Sequence, residues 1–576
     1  MKDLLINNFQ KSPSVSYLQT FSGLKNVDTD TVPGVAMVNY ELQDNTSGIN
    51  ALSAYTFTAN AGTDVLTTSS AHGYFTGLSV QLTTTGTLPG GLSTGTTYYV
   101  QQIGGDTGLK IYATLADFIA SSEIDILDTG SGTHTITPTQ MGYITSIVDR
   151  NSSGSYFNRF AIDDNGTVWV HYTDDYWCVL DGNANLEASE LVVWKDYLFS
   201  IGADKIDVYG KLSDIQAGTP AWTNNWATFT DTAGTRSALA GQDDVVYIGA
   251  GKYVASILEK TGTTFDPASG ATYTFNGEAL DLPDNYQITC LEELGTYLAI
   301  GSQLGYNFGA GNVADVFLWD RVSTTFELPV QLKTQGIRSM VNFNNLLYVN
   351  AGLRGKIYAV DGRSAQLVGQ ISPQLVGLQQ DSYQLYATRN GMARKGNLIL
   401  IGATGSAVGS PTGVFSFNPQ TGAVALEHTI STGSDGSVAT VQVPCIYVDG
   451  DSIFYAGVFD DADGYYGIDK LSITRRYSSY DAYIRTGLYR VGVDRRKRVF
   501  KHCEVVLAKE LATGNAVRVK YRTRLDENFT TIGTMSSGRE ITIDTNVVCD
   551  NIQVQVEMDT SSNTGKTPEL LSVRLY

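Results

Sequence analysis

The sequence predicts a nearly all-β protein whose centre, residues 139–474, is a β-propeller of six or seven blades. Three observations predict it: a short β-rich unit returns at a steady interval, most copies are followed by a partner strand, and helix-favouring stretches are scarce. The unit is an apolar run, a glycine and a polar turn. It reads Asp196-Tyr-Leu-Phe-Ser-Ile-Gly202, Asp244-Val-Val-Tyr-Ile-Gly249 and Thr296-Tyr-Leu-Ala-Ile-Gly301, then Asn345-Leu-Leu-Tyr-Val-Asn-Ala-Gly352, Asn397-Leu-Ile-Leu-Ile-Gly402 and Asp451-Ser-Ile-Phe-Tyr-Ala-Gly457. These glycines recur about every 50 residues, the period of a four-stranded blade. Partner strands follow at 205–209, 315–320, 356–361, 413–418 and 467–471, and an earlier hairpin at 160–170, with Asn165-Gly166 at its tip, begins one more blade.

Edge protection is the physical reason for a closed ring. A single blade is a small sheet with two open edges and one apolar face that it cannot bury alone. Six or seven set radially pack face on face and expose only short edges. The glycine after each inner run suits a sharp bend or a close approach between strands. A sandwich of unrelated hairpins is the competing arrangement, and it does not account for the regular spacing. The best helix-favouring stretches, Leu115–Ala120 and Val506–Leu511, are each too short to stand alone.

At 576 residues the chain is long enough for several cores. Its five cysteines, Cys178, Cys290, Cys445, Cys503 and Cys549, are far apart and form no C-x-x-C pair, which predicts buried reduced thiols rather than a disulfide scaffold or zinc site. The amino terminus has an apolar run of only three residues, so no signal peptide is expected; no run reaches transmembrane length, and synthesis and folding in a cytoplasm follow as the expectation. Charge is unevenly spread. Residues 475–576 carry seventeen Lys+Arg against twelve Asp+Glu, which leaves −24 of the total −19 to residues 1–474. An acidic body argues against wrapping nucleic acid, because phosphate neutralisation supplies most non-specific affinity. The basic end is a candidate contact for a partner.

Residues 1–49 read as lead-in strands. The alternating strand Val35–Leu42 finds its next plausible hairpin partner at Gly142–Val148, so residues 50–138, rich in Thr and Gly, form an inserted small β domain. Surface loops accept such insertions because loop-closure entropy grows slowly with length. Within it, Leu88-Pro-Gly-Gly91 is a tight turn, and Tyr98–Val100 and Leu109–Tyr112 are strands flanking a glycine loop. His72, beside a glycine, reads as a turn residue with a hydrogen-bonded ring rather than a ligand. The runs Ala71-His-Gly-Tyr-Phe-Thr-Gly77, Thr85-Gly-Thr-Leu-Pro-Gly-Gly-Leu92, Gly95-Thr-Thr-Tyr-Tyr-Val100 and Leu127-Asp-Thr-Gly-Ser-Gly-Thr-His134 resemble a small β module of bacteriophage virion proteins.

The propeller loops offer little chemistry. Asp460-Asp-Ala-Asp-Gly464 lacks the regular spacing and downstream Glu of a calcium loop, and Asp163-Asp-Asn-Gly166 is better explained as a hairpin tip. The glycine-rich run Gly305–Gly311 has no P-loop lysine and reads as a loop. With only five histidines and no H-E-x-x-H, the expectation is no catalysis, no metal and no cofactor. Trp222 and Trp226 lie in a polar stretch, where they either stack on a sugar or partner, or pack between blades.

Residues 475–576 predict a β-sandwich opening on a basic cluster that includes Arg495, Arg496, Lys497 and Arg498. On the strand at 517–524, Arg518, Lys520, Arg522 and Arg524 share one face while Val517, Val519 and Tyr521 take the other. Four like charges repel unless answered. Glu557 and Asp559 answer from a neighbouring strand, or an acidic subunit surface or the phosphates of DNA do.

Lead-in, interrupted strand, propeller and terminal sandwich together resemble the tail nozzle (tail tubular) proteins of short-tailed bacteriophages, and the closing run Lys566–Tyr576 is similar to final strands in such tail proteins. In that family six copies form a ring below portal and adaptor. The resemblance implies a non-enzymatic homo-oligomeric conduit in the virion tail. Its partners would be itself as a hexamer, the head–tail adaptor, the tail fibre proteins and, transiently, genomic DNA, with no membrane insertion. The alternative is a receptor-binding or fibre-docking protein that grips host surface polysaccharide.

Overall fold

The computed structural model of the chain describes residues 4–6, 21–29, 35–46, 48–150, 157–173, 176–180, 182–183, 185–217, 220–232, 236–305, 313–327, 329–371, 385–405, 412–432, 441–450, 452–460, 464–492, 497–560 and 565–576. Among these residues the centre of the chain forms seven four-stranded antiparallel units, five of them separate sheets and the last two joined to each other by the bridges Asn390–Cys445 and Thr404–Gln442. Six are built from consecutive strands and start at Ile144–Asp149, Glu190–Trp194, Arg236–Ala240, Tyr286–Leu294, Ile337–Phe343 and Leu385–Lys395. The seventh runs Val441–Asp449, Ile453–Asp460, Tyr465–Arg476 and takes its outer strand, Tyr40–Asp44, from the start of the chain. The first strands of successive sheets touch one another all the way round, and the first sheet meets the seventh. This is a β-propeller of seven blades.

Four of the recurrent glycines, Gly249, Gly301, Gly402 and Gly457, sit where blades touch. A Cβ on Gly301, in blade four, would come within 2.6 Å of Cys290 Sγ and 2.9 Å of Ile337 at the start of blade five. On Gly457, in blade seven, it would meet Cys445 Sγ at 2.7 Å and Ile144 of blade one at 3.1 Å, across the junction that closes the ring. Both glycines bring a strand close to the next blade, a function of the missing side chain rather than of backbone freedom. All five cysteines are buried free thiols.

The partner expected for the strand near residue 40 is corrected by the pairing. Tyr40–Asp44 lies antiparallel to Tyr465–Arg476, with Asp44 opposite Asp469 and Leu42 opposite Leu471, whereas Ile144–Asp149 is the innermost strand of blade one. Hydrophobic alternation marks a strand and its buried face, but not which of two distant strands it joins. The described part of the lead-in is accordingly shared between two bodies. Tyr40–Asp44 closes the propeller, while Leu4–Ile6 and Phe21–Lys25 join the terminal sandwich.

The closing pair carries a titration. Asp469 is fully buried, accepts a hydrogen bond from Ser431 N at 2.7 Å and faces Asp44. Burial raises its pKa to about 7, Ser431 opposes the rise, and the Asp44 charge adds to it. A carboxyl that binds its proton more tightly when folded stabilises the fold at low pH, and that contribution is lost as pH climbs from the unfolded value near 3.8 to about 7. Asp469→Asn is therefore expected to melt higher than the parent at pH 8, by at most about 4 kcal/mol, with the difference shrinking toward pH 4. Thermal melts across that range check the sign; a constant difference at every pH would contradict it.

The insertion between Asp44 and blade one is a closed six-stranded barrel of Tyr55–Asn60, Val65–Thr68, Ser79–Thr84, Thr97–Ile103, Gly108–Tyr112 and His134–Pro138. Its two ends are stapled by one side chain. Asn50 accepts from Met141 N at 2.8 Å and donates to the carbonyls of Met141 and Tyr466 at 3.0 and 2.6 Å. The barrel sits on the rim strand of blade one, Tyr176–Val179. Tyr99 donates to the Val179 carbonyl at 2.6 Å, Ser79 Oγ accepts from Val179 N at 3.0 Å, and Phe75 stacks on Tyr176 with ring centroids 4.5 Å apart. An otherwise open blade edge is thereby covered. Leu115–Ala120 is an α-helix whose first turn is capped by Thr114, accepting from Asp117 N; its Leu115 and Phe118 are buried. Val506–Leu511 is not helical, because its first residues finish the strand Arg498–Leu507.

The carboxy-terminal body is a β-sandwich. One sheet orders Leu4–Ile6, Leu570–Leu575, Arg498–Leu507 and Glu540–Cys549; the other orders Thr530–Met535, Ala516–Arg522, Asn551–Asp559, Ala482–Thr486 and Phe21–Lys25. Val505, Val517, Val519, Val556, Met558 and Val573 fill the space between them. Both ends of the described chain meet here, Leu4 opposite Leu575. The second sheet reaches the propeller through one parallel bridge, Lys25 to Leu426 in the rim strand of blade six.

Candidate interaction surfaces

The strand Ala516–Arg522 alternates as its sequence requires: Val517 and Val519 are fully buried, and Arg518, Lys520 and Arg522 point to the other side of the sheet. The neighbouring strand places Glu557 opposite Arg518, Gln555 opposite Lys520 and Gln553 opposite Arg522. On the far side of that strand Tyr483 pairs with Glu557 and Arg485 with Gln555. A central polar row is thus flanked by basic and aromatic side chains that fold over it, and Gln553, Gln555 and Glu557 are buried on a face that is otherwise partly open.

Each cation is oriented. Arg518 Nε donates to Glu557 Oε2 at 2.6 Å, and Lys520 Nζ lies 2.7 Å from Glu557 Oε1, which also accepts from Gln555 Nε2 at 2.7 Å. Arg485 Nε donates to Gln555 Oε1 at 2.8 Å, and Arg522 Nε to Gln553 Oε1 at 2.6 Å. Aromatic rings support the guanidinium groups: Arg518 lies 3.9 Å from the Tyr480 ring centroid, Arg522 4.6 Å from Phe529, and Arg485 5.1 Å from Phe529 and 4.9 Å from Tyr483. Burial, then the positive charge of Arg485, lowers the pKa of Arg522. Four cations here share one carboxylate. Glu557 answers two of them, and Asp559, the other residue expected to do so, accepts from Ser479 N at 2.8 Å.

Several basic residues expected together are apart. Arg524 lies beyond the strand end and forms an exposed pair with its own loop, Nε and Nη2 donating to Asp526 at 3.0 and 2.8 Å. A two-residue separation after the strand ends no longer means a shared face, which corrects the row of four to a row of three. Lys497 is exposed, and Arg498 begins a strand of the opposite sheet with its guanidinium over Phe500. Arg495 and Arg496 lie outside the described residues. Sequence reasoning placed neither Arg485 nor Phe529 on this face. The signal for Arg485 is its place two residues after Tyr483 in a strand whose other face is Ala482 and Ile484. Nothing local announces Phe529.

Trp222 and Trp226 sit on the rim strand Ala221–Thr228 of blade two, both partly buried. Trp226 Nε1 donates to the Pro267 carbonyl at 3.1 Å, and its ring packs among Phe199, Phe265, Tyr273 and Phe275. Trp222 lies against Tyr209 with centroids 5.2 Å apart. Packing engages both rings. Asp163 closes its hairpin by accepting from Asn165 N and Thr167 N at 3.0 Å and from Trp169 Nε1 at 3.0 Å. His72 is buried, Nδ1 accepting from Tyr74 N at 2.8 Å, and burial lowers its pKa. In the run at 460–464, Asp460 accepts from Thr432 Oγ1 at 2.6 Å, while residues 461–463, like 306–311 of the glycine-rich run, lie outside the described residues. No group of three His, Cys, Asp or Glu among the described residues is arranged to hold a metal ion. No helix of the described residues is long and apolar enough to cross a membrane.

The propeller axis holds a feature the repeat pattern did not predict. The innermost strand of blade six breaks register with its neighbour between Ala387 and Met392, and the excursion Thr388–Gly391 crosses the middle of the ring. Arg389 Nε lies 2.9 Å from Glu190 Oε2 and its Nη2 donates to the Ser189 carbonyl at 2.8 Å, both on the blade-two side. Asn390 Nδ2 donates to the Thr145 carbonyl of blade one at 2.9 Å and to Glu190. The Arg389 carbonyl accepts from Ser339 Oγ of blade five at 2.8 Å, and Thr388 Oγ1 donates to the Pro444 carbonyl of blade seven. Glu190 is buried and also accepts from Ser146 Oγ at 2.7 Å; burial raises its pKa while Arg389 opposes the rise. One excursion therefore ties blade six to blades one, two, five and seven across the ring. A second carboxyl on an innermost strand, Glu292 of blade four, is driven by burial to a pKa of about 7.

No family model matches the chain, and no curated protein matches it. Among solved structures, a Dos1 propeller is 12% identical over 75% of this chain and 94% of that chain, with a TM-score of 0.38. BamB from Moraxella catarrhalis is 13% identical over 58% and 85%, TM-score 0.34. An exo-β-1,3-galactanase from Phanerochaete chrysosporium is 10% identical over 61% and 99%, TM-score 0.24. At these TM-scores the likenesses support no further step, and the propeller stands on its own strand pairing.

Proposed function

We propose that the chain is a structural protein of a bacteriophage tail, a nozzle that assembles as a ring of identical copies, extends the path of the genome and docks on the adaptor and tail fibres. The observation that carries this reading is the inserted module: the runs at 71–77, 85–92, 95–100 and 127–134 resemble a module of phage virion proteins. A basic sandwich beside an acidic body suits contact between copies, and an acidic body is a surface past which DNA slides without sticking. In this reading the protein does no chemistry, and its location is the virion tail.

The test is the state of the purified chain. A nozzle assembles into a ring with a central opening, visible by sedimentation and negative-stain imaging. A chain that stays monomeric at every concentration and binds host polysaccharide is instead a receptor-binding protein, and the nozzle reading falls.

A further inference from the structure

We propose that the face formed by Arg485, Arg518, Lys520 and Arg522 is the docking surface for carboxylates of a second copy of this chain, and that Arg485 and Arg522 make the intersubunit pairs. The inference rests on the ring reading above and names the surface by which one copy would hold the next.

Three observations favour it. The first is the imbalance of charge within the face. Glu557 pairs with Arg518 and Lys520, and among the described residues no carboxylate lies within ion-pair distance of Arg485 or Arg522. Burial and, after it, the charge of Arg485 lower the pKa of Arg522 while Asp526 opposes the fall, and an incoming carboxylate relieves the repulsion between the two guanidinium groups. The second is preorganisation. Each guanidinium is anchored through Nε on the central row and rests on an aromatic ring, so little side-chain entropy is left to lose on binding. Arg522 Nη1 also donates to the Leu525 and Glu527 carbonyls at 2.8 and 3.3 Å, so an incoming carboxylate would meet its Nη2.

The third observation selects the partner. Four cations and one anion make a small patch, and phosphate binding that depends on counterion release needs several more contacts to survive physiological salt. The remainder of the chain carries −24, which repels a polyanion at long range. That same charge makes every other copy of the chain an acidic partner. Blade three offers one such edge, where Glu278 and Asp281 are exposed on the rim strand and Asp284 follows at 86% side-chain exposure, three carboxylates around the single cation Lys252, which pairs with Asp281 and Asp284 at 3.1 and 2.9 Å. Sandwich against propeller is a head-to-tail contact, the kind that repeats around a ring.

The experiment compares assembly of the full chain with three variants by sedimentation across 50–500 mM salt, beside binding of a short DNA duplex. Arg485→Glu/Arg522→Glu is expected to sediment as a folded monomer. Arg485→Gln/Arg522→Gln, which removes the charge but keeps a polar hydrogen-bonding side chain, should associate at least about tenfold more weakly and with a flatter salt dependence. Arg524→Glu, whose parent residue pairs within its own loop, should assemble as the parent does. Unchanged assembly of the Gln variant overturns the inference and leaves the ring standing. Unchanged assembly with loss of duplex binding assigns the face to nucleic acid and overturns it too. A parent that never associates removes the ring reading along with the inference.

Discussion

Arg389→Ala is expected to destabilise the propeller by about 3–5 kcal/mol, because it leaves Glu190 charged and unpaired in a buried site. Glu190 is 3% exposed, and its counter-ion reaches it across the axis from a blade that is not its neighbour. The substitution also removes the Nη2 hydrogen bond to the Ser189 carbonyl. A variant that neutralises both partners, Arg389→Met with Glu190→Gln, is expected to recover much of the loss, since no buried charge is then left alone. Denaturant melts of the parent, the single and the double variants measure the coupling. Equal losses from single and double variants would show that the pair has no special role in holding the blades together.

Leu42→Asp is expected to have an effect of similar size by opening the ring at its seam. Leu42 is 3% exposed and packs with Val414, Ile430, Val441, Phe454 and Leu471 on the strand that completes blade seven. A carboxylate there would sit among apolar side chains, and burying a charge in such surroundings costs several kcal/mol. Hydrogen exchange should quicken first in Tyr40–Asp44 and its partner Tyr465–Arg476, then in Ile453–Asp460, while the inserted barrel keeps its protection. Leu42→Ala provides a milder version at about 2–4 kcal/mol if the aspartate prevents folding outright. Exchange that quickens equally everywhere would mean that the seam is no weaker than the rest of the ring.

These two sites also mark where sequence reasoning ended. The blades were legible because each is local: an apolar run, its glycine and its partner strand lie within about 50 residues, and Gly301 and Gly457 stand where neighbouring blades leave no room for a side chain. The alternation of Val517, Arg518, Val519 and Lys520 gave the cationic row for the same reason. The seam was not legible. Asp44 finds Asp469 only after the whole ring has been drawn, and nothing in the text of either strand names the other. The excursion across the ring was hidden because a strand-like stretch, Leu385–Lys395, contains four residues that leave the ladder, and their partners come from four other blades. Within the sandwich, Arg524 was grouped with the row by spacing, although the strand ends at Arg522 and Asp526 lies two residues away. Arg485 was missed because it reaches the face from a different strand.

That excursion bears directly on the path proposed for the genome. With Thr388–Gly391 tied across each propeller to four other blades, the opening proposed for the genome lies between copies. End-on images of the assembled chain therefore test the account most directly. The account predicts a ring of copies around one central opening, with continuous density along every propeller axis. A solitary chain, or an assembly whose opening runs through the propeller itself, would contradict it.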